Sequence, residues 1–170
     1  MTAAQLNLLD APIQRPAALT MEQARADLLR RAKDGANCPC CGRLAKIYRR
    51  KLNKTMGAAV AWLVRQQRTP EDWIDVPKRA PRWVIRTNQL GTVAHWGLLE
   101  QATEADGKKR TSGIWRPTNL GRSFVLGKVT VPAWVELLNN EVEAWATEQV
   151  SITDVVGVDF DFSELMEGDS

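Results

Sequence analysis

Apolar residues recur at helical spacing through the first part of the chain and give way to shorter, turn-punctuated runs toward its end, a change of period that predicts an α+β protein. Met21, Ala24, Leu28 and Leu29 share one helix face, and Thr20 with Gln23 three residues on reads as a capping box, so a helix is expected from Thr20 to near Gly35. A longer pattern runs from Arg43 to about Gln67. There Leu44, Ile47, Tyr48, Leu52, Met56, Ala59, Val60 and Leu63 line one face and Arg43, Lys46, Arg50 and Lys54 the other, which predicts one long amphipathic basic helix. Thr69-Pro70 ends it, because proline disfavours helical geometry in the residue before it. Residues 73–81 read as an irregular or short extended connection, and Trp83 to about Trp96 as a helix, or as a strand Trp83-Val84-Ile85 leading to an N-cap at Thr87. Further on, Asn139-Asn140 separates two apolar runs; asparagine tolerates positive φ, so a C-terminal β-hairpin is expected. Trp134, Leu137, Leu138, Val142 and Trp145 also fit one helix face, which keeps a helix over 134–145 as the alternative.

Between these elements lies the most informative stretch. His95-Trp96-Gly97-Leu98-Leu99 is followed by a polar loop through Lys108-Lys109-Arg110, then by Gly113-Ile114-Trp115 and Thr118-x-x-Gly121-Arg122-x-Phe124. A helix ending in Gly-Leu-Leu, a basic loop, a strand and a threonine-led turn together resemble the second half of a winged-helix domain, in which a recognition helix is followed by strand, wing and strand. With Cys38-Pro39-x-Cys41-Gly42 and Lys46-x-Tyr48-x-Arg50, the chain from 38 to 166 also resembles a group of phage and prophage proteins; that resemblance implies a winged-helix-like core and no activity. In such a core Arg86, Asn88 and Gln89 would reach base edges. Residues 69–81, with Pro70, Pro77 and Pro81, leave little room for the support helix that normally precedes a recognition helix.

Charge sharpens the expectation of an anionic partner. The net charge is only +3, but all 23 Lys and Arg lie before residue 150 with 14 acidic residues, leaving that part at +9. The expected organisation is a flexible arm over 1–19, a single domain over 20–150 including the knuckle 38–42, and an acidic segment over 151–170, parts of which pack back as short helical turns. No run is apolar enough to span a bilayer and the N-terminus lacks a signal-peptide pattern, so no membrane partner and a cytoplasmic location in a bacterial host are expected.

Candidate chemistry is sparse. Cys38 and Cys41 have the spacing of a zinc knuckle, in which two thiolates reach one metal around a tight turn; Cys40, the single histidine His95 or a second chain would have to complete four ligands. Reduced, metal-free thiols in the same turn are the other reading, and for His95 a satisfied polar residue at a helix end. Arg43, Lys46, Arg50, Lys54 and the loop Lys108, Lys109, Arg110 are the candidate phosphate contacts. Gln5, Leu6, Leu8 and Leu9 resemble the short motif that docks on a replisome sliding clamp, which implies a host or phage protein partner. Seven tryptophans are expected mainly as core anchors, with any exposed one marking a protein-binding surface. Phosphate loops, dinucleotide fingerprints, nucleophile elbows and His-Glu metal helices are all missing, and the pairs Asp72/Asp75 and Asp159/Asp161 read as solvated turns, so a non-enzymatic binding protein is expected.

Overall fold

The computed structural model describes residues 19–103 and 110–157, with the side chains of 110–112 excepted. The chain is α+β and divides into two compact units, breaking between Ile47 and Tyr48, inside the span expected as one domain. In the first unit, α1 (Met21–Arg31) starts at the expected capping box: Thr20 accepts from the Gln23 amide at 3.2 Å, and Gln23 Oε1 accepts from the Thr20 amide at 2.9 Å. Two short strands, β1 (Ala36–Asn37) and β2 (Leu44–Ala45), then pair antiparallel around the cysteine turn.

The second unit is built around one helix. It runs β3 (Tyr48–Lys51), α2 (Lys54–Gln66), β4 (Ile74–Asp75), α3 (Val76–Arg79), α4 (Arg82–Thr87), α5 (Leu90–Val93) and a 3-10 turn Ala94–Trp96. Then come β5 (Leu99–Thr103), β6 (Arg110–Pro117), α6 (Asn119–Val125), β7 (Val131–Pro132), β8 (Trp134–Leu138), β9 (Glu141–Trp145), β10 (Gln149–Val150) and α7 (Ile152–Val156). Three antiparallel sheets result, ordered β4-β6-β5, β3-β8-β9 and β10-β7. Every residue of α2 from Met56 to Leu63 is buried, and α5, α6, α7 and β6 cover it. Ile152 and Val156 of α7 belong to this core, so residues 151–157, placed by sequence in the acidic segment, are part of the folded body.

The long basic helix over 43–67 is not formed. Leu44–Ala45 and Tyr48–Lys51 are strands, and the helix begins only after Asn53, whose side chain accepts from the Met56 amide at 3.0 Å. The physical reason is pairing: all four residues of β3 lie in register with β8, and that ladder overrides a local period of 3.6 that only Leu52, Met56, Ala59, Val60 and Leu63 honour by burial. Leu44 and Tyr48, read as core, are 62% and 50% exposed. The helix expected over 83–96 is likewise broken, because Asn88 takes a left-handed φ of 48° between α4 and α5. The β-hairpin at Asn139-Asn140 is present, both residues at positive φ (54° and 68°), and the helical alternative is excluded by β8's alternating burial.

The Thr-x-x-Gly-Arg-x-Phe stretch proves to be a clasp between β6 and α6. Thr118 Oγ1 accepts from the Gly121 amide and donates to the Gly97 carbonyl at 2.6 Å, Arg122 donates to the carbonyls of Pro117 and Pro70, and Phe124 is fully buried. A Cβ on Gly121 would sit 2.1 Å from the Leu98 carbonyl oxygen. Gly121→Ala is therefore expected to destabilise the fold by about 3 kcal/mol or more in urea unfolding, whereas Gly91→Ala, in open space, should cost nothing; equal midpoints for the two variants would refute the clasp.

Candidate nucleic-acid interface

From Asp75 to Glu100 the sequence holds no carboxylate, and Lys78, Arg79, Arg82 and Arg86 all fall within that interval. The fold places them on α3 and α4. Asp75 caps α3 by accepting from the Lys78 amide, and Pro77 sits in the first turn, where a missing N–H is harmless; this is how a one-turn helix fits among three prolines. The Lys78 ammonium lies 2.9 Å from Asp75, a contact that lowers the Asp75 pKa and raises that of Lys78. Helix α4 turns Val84 into the core and leaves Arg82, Ile85 and Arg86 exposed, followed by exposed Asn88. Among the described residues neither Arg82 nor Arg86 pairs with a carboxylate. Arg79 donates to Gln66.

Sequence reasoning found Arg86, Asn88 and Gln89 but missed Lys78, Arg79 and Arg82; the acid-free interval was the signal available. Gln89 is turned back, donating to the Thr87 carbonyl at 3.1 Å. Arg43 and Lys46 lie in the first unit and Arg50 and Lys54 in the second, on a strand and at the start of α2 respectively, so the four do not form one helix face. Lys108 and Lys109, in the connection between β5 and β6, lie outside the described residues, as do Gln5, Leu6, Leu8, Leu9, Asp159 and Asp161; Arg110 is the first residue of β6.

The remaining candidates make contacts within the fold. His95 Nε2 lies 3.1 Å from Asn140 Oδ1, which links the 3-10 turn to the hairpin tip. Asp72 accepts from the amides of Arg68 and Thr69 and from the Thr69 hydroxyl, and the Thr69 bonds hold its carboxyl below the usual range. Trp62, Trp96 and Trp115 are buried, and Trp96 donates to the Pro132 carbonyl. Trp73 and Trp145 are exposed, the former beneath the Arg116 guanidinium at 4.4 Å.

The cysteine turn has the knuckle's hydrogen bonds. The Gly42 amide donates to the Cys38 carbonyl at 2.8 Å, and the amides of Cys40 and then Cys41 point at the Cys38 sulfur and lower its pKa, while partial desolvation and the neighbouring Cys38 raise that of Cys40. Cys40 Sγ lies 3.6 Å from Met21 Sδ. Among the described residues no group of three or more His, Cys, Asp or Glu side chains is gathered to hold a metal ion.

No family model, curated protein or solved structure matches the chain.

With Cys38 lowered and Cys40 raised, Cys38 is the more readily ionised of these two thiols. Iodoacetamide labelling in the presence of a chelator, read by peptide mass mapping, should modify Cys38 before Cys40, with the lead shrinking as pH rises past both groups; Cys40 reacting first would contradict the amide arrangement.

Proposed function

We propose that the protein is a phage-encoded, non-enzymatic DNA-binding protein with a winged-helix-like second unit. The observation that carries this reading is the exposed cationic surface of α3 and α4, in a stretch that holds no carboxylate between Asp75 and Glu100 and that leads through α5 and the 3-10 turn into the β5–β6 hairpin. Element order supports it: helix α2, strand β4, helices α3, α4 and α5 with a 3-10 turn, then two strands joined by the connection that holds Lys108 and Lys109, with sheet order β4-β6-β5. In that arrangement α4 is the recognition helix and α3 its short support. Arg82 and Arg86 contact phosphates, Asn88 at the helix end reaches toward bases, and the basic connection touches the backbone beside them. Unpaired guanidiniums suit the task, since no internal ion pair must be broken before phosphate binds.

A second reading, a protein-interaction module, is favoured by one observation. Tyr48, Val142 and Trp145 are exposed on one face of the β3-β8-β9 sheet, Tyr48 and Val142 both in register with Leu137. It would leave α4 idle.

The test is an anisotropy titration with random-sequence duplex DNA across salt concentrations. Wild-type affinity should fall steeply with salt, and Arg82→Ala/Arg86→Ala should weaken binding at least about tenfold and flatten the log–log salt slope by about 2. Absence of binding at low salt would transfer the proposal to the sheet face, with Trp145→Ala the variant to follow in partner capture.

A further inference from the structure

We infer that the cleft between α4 and the β5–β6 stem is a pocket for one unstacked nucleobase of the bound DNA, an inference that rests on the nucleic-acid reading above. The cleft encloses about 240 Å³. Its lining includes Val84, Ile85, Leu90 and Trp115 as apolar wall and the carboxamides of Asn88 and Gln101 as polar groups, with no ionisable side chain. That uncharged interior opens beside cationic side chains: Lys78 follows the lining residue Pro77, and Arg86 follows Ile85.

A nucleotide has this division of character, an uncharged flat base on an anionic linkage. The volume equals that of roughly eight liquid water molecules and falls below the ~300–1,000 Å³ of drug-sized ligand sites, which suits a single heterocycle. A carboxamide offers both donor and acceptor and so can make a two-bond pair with a base edge that presents both, whereas a lysine only donates and a carboxylate only accepts. Asn88 is exposed at its left-handed position, and among the described residues its amide has no hydrogen-bond partner. A base inside a continuous duplex cannot enter a recess of this kind, so the guest is an extrahelical or unpaired base, whose unstacking has already been met by the DNA.

The test compares two duplexes of one sequence, one carrying a single-nucleotide bulge, by anisotropy at low salt with wild type and Asn88→Gly; glycine keeps the positive φ and removes the amide. Wild type should bind the bulged duplex at least about fivefold more tightly, the scale of one base–aromatic contact, and the bulged-to-intact ratio should fall toward one in the variant while its melting temperature is unchanged. Equal wild-type affinities overturn the pocket and leave the DNA reading standing. A bulge preference that Asn88→Gly does not alter, as easier bending of bulged DNA would produce, also overturns it. Failure to bind either duplex overturns both readings.

Discussion

The burial of α2 on every side is the constraint on which the second unit depends. Eight consecutive residues, Met56–Leu63, are buried, so the helix has no solvent face along that stretch and must be covered all round rather than along one stripe. No single neighbour can do this. The cover comes from α5, α6, α7 and β6, elements separated by up to a hundred residues in the chain. Small residues make it feasible: at Gly57 an added Cβ would lie 2.9 Å from both Val155 and Val156, so α7 approaches a surface that has no side chain there. Burial of this kind contributes through apolar area removed from water, and every methylene lost from it leaves a void that close-packed neighbours cannot fill.

That constraint orients the cationic surface. Since α4 commits Val84 to the core, the helical period sends Arg82, Ile85 and Arg86 outward together. The clasp at Thr118, Gly121 and Arg122 fixes the far end of β6 against Leu98, and β6 in turn pairs with both β4 and β5. The short helix α3 packs on β4 and β6 of this sheet, and α4 is tied to the same core through Val84. In the same clasp, arginine and threonine satisfy carbonyls and an amide that the turn would otherwise leave unpaired.

Local chemistry was legible from the chain alone. The Thr20 capping box, the Asn139-Asn140 hairpin and the turn led by Thr118 each rest on side chains within a few residues of the backbone they govern, so the sequence determined them. Asn53 as the N-cap of α2 and the acid-free interval from Asp75 to Glu100 were equally readable. What only tertiary structure decided was the fate of residues 48–51, where an apolar period suited to a helix loses to strand pairing with β8, some eighty residues away. It also decided the break at Asn88 and the gathering of Arg82 and Arg86 on an exposed face. Ladder partners and core cover come from distant segments, and their free energy exceeds the few tenths of a kcal/mol per residue by which local propensities differ.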